Sequence, residues 1–498
     1  VFAVKLSKLL VLALTLVSAT RTIPALVNSA VFSTDSWPLI RLTRLLAAEP
    51  QIRVFSIEDR HAKWPIAVLS SLVYTEVTGL DVYFFYAYMG APILVLTLSI
   101  LLYLLLGRLA DSASRTSGLL ALLVYSPFVV FTSAYLKEVY AYPIALLVLY
   151  LALVLTRKSK WLAVLLGATT LVLTHPLTAL ITLVFTPTYV FVKLTDRVKY
   201  GDSSTAINYE GAVLLTALLS VLYAVHGVFI GTYYVFSLVD LVVLGAYSIV
   251  FYGAYFALYA DKRGLVAFTA FSLLVLTVIY SLLVEGVEVG LNTVLHGVPL
   301  LLLVTSLGNL RSEESHVSAS LLLPVAVGSF YTLTYAKWLA TITHRFLNYM
   351  VFPVATSIVV FSRIKPRLSG LVLVLLVFNS IIVLYNVYTG RDPATFYWRY
   401  TVADTTLGDF IYEYVAKRLV SGVKYYYQLG DLVATTSSDL LEALRNCSAS
   451  RGVVLAVSYE ELVYGVPVSP LYYVKPTVNI THCSSVVYSS ALNYLLVK

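Results

Sequence analysis

The groups able to do chemistry in this chain are few, and they sit at the ends of long apolar stretches. Asp35 follows the first such stretch, the pair Lys137-Glu138 follows the third, and His175 stands within Thr174-His175-Pro176. Glu285 and Glu288 fall in a later connection, while Lys337, His344 and Arg345 flank another. An ionisable side chain beside hydrocarbon is costly, so one that is kept there is a candidate for function. Carboxylates gathered with cations at headgroup level suit a lipid-linked, phosphorylated substrate. One carboxylate would deprotonate or orient an acceptor, while Arg and Lys, or a divalent ion held by carboxylates, would stabilise a departing phosphate.

Each group also has a plainer reading. Asp35 suits the N-cap of a helix with Pro38 in its first turn, and Lys137-Glu138 could be a surface ion pair. His175 could shape a re-entrant turn or merely cap a helix, and Arg345 could snorkel to lipid phosphate or grip a substrate phosphate in a bidentate fork. Glu58-Asp59-Arg60-His61 reads best as a solvated turn.

The elements that must position these groups follow from composition. Hydrophobic residues make up 59% of 498 positions and charged ones 12%, far from soluble globular usage. A bilayer core takes about 20 apolar residues per helix, and the chain offers about thirteen such runs. They are 6–30, 81–106, 116–136, 139–156, 161–174, 177–192, 211–232, 237–259, 264–284, 292–307, 318–341, 346–362 and 368–388. With Lys5 and Lys8 inside, alternate connections carry the basic clusters from Arg108/Arg115 to Arg363/Lys365/Arg367. The formal charge of +8 thus belongs to cytoplasmic loops rather than to a nucleic-acid partner. The short stretch 161–192 must enter and return, with a turn at Thr174-His175-Pro176. The first run reads either as a span or as a signal peptide.

This sidedness puts the N-terminus in the cytoplasm and the candidate groups outside, and it leaves the midplane nearly free of charge. Residues 1–388 form the membrane domain, with a long first outer loop at 31–80. There Pro38 to Ala48 reads as an interfacial helix with Leu39, Leu42, Leu45 and Leu46 toward lipid. Residues 389–498 turn polar and Tyr-rich, with alternating runs at Gly452 to Tyr459 and Ser484 to Tyr488 beside a helical stretch at Ser438–Arg445. They read as a small extracytoplasmic α/β domain. Both cysteines, Cys447 and Cys483, and two Asn-x-Ser/Thr sequons lie there, and a disulfide between the cysteines suits that compartment. The fold class is therefore mainly α, a polytopic membrane protein with a C-terminal α/β domain. Two Met, two Cys and two Gln suggest a thermophilic source.

Thr34-Asp35-Ser36-Trp37, Lys137-Glu138-Val139-Tyr140, Thr174-His175-Pro176-Leu177-Thr178 and His344-Arg345-Phe346-Leu347-Asn348-Tyr349 carry a resemblance to the GT-C glycosyltransferase superfamily, in a divergent, archaeal-type form. The resemblance implies a cell-membrane enzyme that takes a sugar from a polyprenyl-phosphate donor and passes it to a glycan, protein or lipid acceptor on the outer face. It implies that Asp35 and Glu138 are catalytic and that Arg345 meets lipid phosphate; beside it, the placement of Lys137, His175, Lys337 and His344 on the same face reads as further substrate-binding groups. Asp35, Glu138, Glu285 and Glu288 would be the ligands of any divalent cation, Mg or Mn. The chain lacks a Trp-Trp-Asp-Tyr-Gly acceptor motif, so transfer of a single sugar is expected rather than of a whole oligosaccharide. The rival readings are a transporter or flippase for a lipid-linked precursor, which should carry polar groups through the midplane, and a non-catalytic membrane scaffold.

Overall fold

The computed structural model describes residues 7–497 apart from 273–294, 304–312, 337–339, 441–453, 475–484 and several shorter stretches. Among the described residues, nine helices are long and apolar enough to cross a bilayer. They are Lys8–Asn28, Val82–Leu106, Lys137–Val154, Pro176–Tyr200, Tyr209–Ile230, Leu238–Leu258, Glu313–Tyr335, Arg345–Ile364 and Pro366–Tyr388. A tenth is present if Ser112–Val124 and Ser126–Thr132, bent by 71° from each other, form one span. The expected count of about thirteen is corrected accordingly. The helix Lys160–Thr174 has 15 residues and so reaches only about 22 Å, short of a ~30 Å hydrocarbon core. The runs 264–284 and 292–307 fall largely outside the described residues.

The bend has a local cause. Pro127 has no N–H to offer the carbonyl of Leu123, and Tyr125 leaves helical geometry at ψ 86°. Side chains from other helices take the freed carbonyls. Arg21 Nη2 donates to the Leu122 carbonyl at 2.7 Å, and Ser380 Oγ donates to that of Leu123 at 2.7 Å. Arg21 is fully buried and also reaches Thr132 Oγ1 through Nε at 2.9 Å. Among the described residues, the expectation of a nearly charge-free interior therefore meets a clear exception here, a cation used to close a broken helix.

The first long loop is built mostly of helix. Ser36–Ala48 packs on Ile66–Thr78, where Thr43 Oγ1 lies 2.9 Å from Ser71 Oγ and 3.3 Å from Tyr86 Oη. Leu39, Leu42 and Leu46 are buried in the protein, and of the four leucines expected to face lipid only Leu45 is exposed. The apolar stripe is real, but a protein face took it instead of the bilayer.

Beyond Tyr388 a five-stranded sheet appears, in the order β2-β1-β3-β7-β6. Its strands are β1 (Leu419–Ser421), β2 (Val433–Thr435), β3 (Val454–Val457), β6 (Ser485–Ser490) and β7 (Asn493–Val497), while β4 (Val466–Ser469) and β5 (Tyr472–Val474) form a separate pair. β1 runs parallel to β2 and β3, and β7 runs antiparallel to β3 and β6. Every residue of β3 is buried, as befits a central strand covered on both faces. The alternating runs expected at Gly452 to Tyr459 and Ser484 to Tyr488 are β3 and β6. Cys447 and Cys483 lie outside the described residues, as does nearly all of the expected helix at Ser438–Arg445.

This α/β extension encloses a fully buried cation. Lys424 Nζ lies 3.3 Å from Asp404 and 3.2 Å from Glu460, and Glu461 is buried beside them, accepting from the Ser458 amide at 2.9 Å. Burial pushes the Glu461 carboxyl up to about 7 from 4.5. The folded state therefore holds a proton that the unfolded chain releases near 4.5, so this group's stability contribution is complete below that pH and is lost as pH rises through about 7. Amide exchange of β3 in the full-length chain, corrected for intrinsic chemistry, should accelerate between pH 5 and pH 8. Glu461→Gln should flatten that dependence, and an unchanged slope in the variant would show that another group titrates.

Candidate active site

Three segments far apart in sequence meet at one guanidinium. Arg345 Nη2 lies 3.0 Å from Asp35 Oδ2, and its Nη1 lies 3.7 Å from Glu138 Oε2. The same Glu138 oxygen is 3.8 Å from His175 Nε2. Glu138 Oε1 accepts from Tyr142 Oη at 2.6 Å, one helical turn along.

Local structure explains each placement. Asp35 occupies the N-cap of Ser36–Ala48, yet its side chain makes no capping hydrogen bond. Its carboxylate turns to Arg345 instead. The turn that aims it is held by Ser33, whose φ of 81° is left-handed, an uncommon state for a residue with a Cβ. Ser33 Oγ accepts from the Asp35 amide at 3.3 Å, while the Ser33 amide donates to the Trp398 carbonyl at 2.7 Å. Glu138 sits in the first turn of Lys137–Leu149, where the helix dipole favours negative charge. It is only 2% exposed, which rules out the surface ion pair.

His175 breaks the chain between Lys160–Thr174 and Pro176–Tyr200 with an extended backbone, as the Thr-His-Pro sequence implied. Its Nδ1 accepts from the Thr178 amide at 3.3 Å and lies 2.9 Å from Thr178 Oγ1, which is 2.8 Å from Tyr349 Oη. An amide can only donate, so Nδ1 is the unprotonated nitrogen and Nε2 carries hydrogen toward Glu138. Burial holds His175 well below its ordinary value, with Arg345 and Lys137 adding to the effect, so the ring is neutral at pH 7.

The rim is cationic. The Lys137 ammonium lies 5.0 Å from the centre of the Trp64 ring, and Trp64 stacks on His226 with centroids 5.7 Å apart. His61 is held neutral by burial and by the neighbouring charges of Lys137, Arg60, Arg41 and Arg345. Glu58-Asp59-Arg60-His61 is thus more than the solvated turn it resembled: Asp59 caps a short 3-10 helix by accepting from the His61 amide at 2.6 Å. The α/β extension reaches this rim through Tyr427. Its hydroxyl accepts from Arg60 Nη2 at 3.3 Å, and its carbonyl accepts from Arg41.

Of the sequence candidates, Asp35, Lys137, Glu138, His175 and Arg345 come together. Glu285, Glu288 and Lys337 lie outside the described residues, as does the side chain of His344. Sequence reasoning missed Tyr142, which the i+4 spacing from Glu138 could have flagged, and Tyr427, which had no local signal. Asp35 and Glu138 are hard oxygen donors of the kind that Mg or Mn takes. Among the described residues, however, no three of His, Cys, Asp or Glu meet as a metal group, and Arg345 supplies the positive charge between the two carboxylates.

Against known structures, the chain is similar to ArnT from Cupriavidus metallidurans in the apo state, at 12% identity and a TM-score of 0.40, over 98% of this chain and 97% of that one. Agreement this loose carries no argument about chemistry. No family model and no curated protein matches the chain.

Arg345→Met would leave Glu138 buried without its countercharge and should destabilise the fold by about 1–3 kcal/mol, discounted because the arginine is partly exposed. Adding Glu138→Gln should recover most of that loss, since the two sites share one interaction. Thermal unfolding in lipid nanodiscs measures both; additive losses would show that the pair does not depend on each other.

Proposed function

We propose that this chain is a membrane glycosyltransferase of GT-C type, moving a single sugar from a polyprenyl-phosphate donor to a glycan, protein or lipid acceptor on the outer face of the cell membrane. One observation carries the reading: a partly exposed carboxylate, a buried carboxylate and an arginine from three distant segments converge at one end of the helical bundle, beside a cationic rim. The resemblance in the segments around Asp35, Glu138, His175 and Arg345 supports it. In this reading the N-terminus is cytoplasmic and the α/β extension is outside.

The chemistry is a displacement at the anomeric carbon. An acceptor hydroxyl attacks that carbon, the carbon–oxygen bond to phosphate breaks, and the configuration inverts. Asp35, about one third exposed, is the carboxylate able to take the hydroxyl proton. Arg345, with Lys137 beside it, compensates charge on the departing polyprenyl phosphate. Glu138, fixed by Tyr142 and His175, holds Arg345 in place. A divalent cation, Mg or Mn, would be held by Asp35 and Glu138 and would supply further charge compensation at phosphate. Lys337, His344, Glu285 and Glu288 remain proposed additions to the substrate and metal groups.

Reconstituted protein supplied with polyprenyl-phosphate sugars should release polyprenyl phosphate, and Asp35→Asn should slow that release by about 100-fold or more. Equal turnover in both removes Asp35 as the base, and no turnover of any donor favours a transporter, flippase or scaffold. Loss of turnover on chelation, restored by Mg or Mn, would support the cation.

A further inference from the structure

Tyr427 belongs to the α/β extension, on the short helix Val423–Leu429, yet it stands among groups of the first long loop. Its backbone carbonyl takes a hydrogen bond from Arg41, and its phenolic oxygen takes one from Arg60 Nη2 at 3.3 Å. Gly430, three residues on, adopts φ +62° and lies against the Arg41 guanidinium, so the helix ends where that side chain passes. The phenol is within electrostatic reach of Asp35 and Arg345. Burial, with Asp35 adding to it, raises Tyr427 above its ordinary value, so the hydroxyl stays protonated near neutral pH. It can therefore accept from Arg60 and donate at the same time, and among the described residues its hydrogen has no acceptor. Donation from a guanidinium into a phenolic oxygen polarises the O–H and makes it a better donor.

We propose that Tyr427 is a ligand-binding residue, through which the α/β extension donates a hydrogen bond to a phosphate oxygen of the substrate in the Asp35–Arg345 site, with Arg60 as its positioning partner. This rests on the functional reading above. It makes the extension part of the site itself, so that the phosphodiester of the donor, and the polyprenyl phosphate monoester it leaves behind, is held by Arg345 on the bundle together with Tyr427 on the extension.

The test is equilibrium binding of undecaprenyl phosphate to the full-length chain in phosphatidylcholine nanodiscs. Tyr427→Phe removes one oxygen and should weaken binding about 3- to 10-fold. Arg60→Gln should weaken it as well, and the double variant should lose less than the product of the two single losses. Tyr426→Phe, on the exposed neighbour, should bind like wild type. Wild-type binding with no loss in Tyr427→Phe, or with fully multiplicative losses in the double variant, overturns this inference alone. Absence of binding to the wild-type chain overturns the functional reading and this inference with it. Phosphatidic acid offers the same phosphate monoester on another tail. Binding of it with the same dependence on Tyr427 would support the contact and overturn the polyprenyl assignment.

Discussion

The arrangement depends on a single guanidinium shared by two carboxylates. Glu138 is almost without solvent, and a carboxylate taken out of water is tolerable only with a countercharge and hydrogen bonds on its remaining lone pairs. Arg345 and Tyr142 meet that demand. Asp35 draws on the same arginine from the other side, so the first-loop turn, the start of Lys137–Leu149 and the helix Ala340–Tyr349 are tied through one residue. The two acids are not equivalent. An anion that claims Arg345 must displace one of them, and only Asp35 has water to turn to.

The opposite ends of the same helices carry a second polar cluster. The helix Pro176–Tyr200 begins just after His175 and bears Lys193 and Asp196 some 18 to 21 residues later, about 27–32 Å along its axis. There Lys193 pairs with Glu313, while Asp196 lies 3.8 Å from His316 Nε2 and accepts from Tyr259 Oη at 2.9 Å. These groups pair with one another across helices, as in a buried structural cluster. The Asp35 end differs in gathering Arg41, Arg60 and Arg345 about a carboxylate that is partly open to solvent. Between the ends, Arg21 is spent on the carbonyl of Leu122 and buried hydroxyls pair across helices, as Ser318 does with Thr356 and Thr186 with Thr216.

Much of this was legible in the chain, and the reasons are physical. Long apolar runs announce helices because backbone groups in hydrocarbon must be satisfied within the segment, and Thr174-His175-Pro176 marks its break because proline disfavours helix in the residue before it. Asp35, Glu138, His175 and Arg345 stood out because charge beside apolar sequence is expensive. The leucines of Ser36–Ala48 were misassigned for an equally clear reason: an apolar stripe specifies burial but not the identity of what buries it, and Ile66–Thr78 competes with lipid for the same face. The span count erred where length decides, at Lys160–Thr174. Arg60, His61 and Tyr427 were invisible as a group because their proximity is created by a contact across 367 positions, which no local spacing encodes.

That long-range contact is one of several by which the α/β extension is sewn to the first loop. The Ser33 amide bonds to Trp398, Trp37 packs at 5.3 Å from the Tyr400 ring, Arg399 Nε donates to Asn28 Oδ1 at 2.7 Å, and Arg41 donates to Tyr427. Trp37 and Arg41 lie on the helix that Asp35 caps, and Ser33 is in the turn that aims it. A module tethered only by its linker would leave that helix free to shift. Here displacing the extension would release the left-handed turn at Ser33 together with the face of Ser36–Ala48 opposite Ile66–Thr78, and Asp35 would lose the geometry that keeps it off its own helix terminus. The position of the carboxylate is therefore a property of the whole chain, set at one side by the bundle through Arg345 and at the other by residues 398–427.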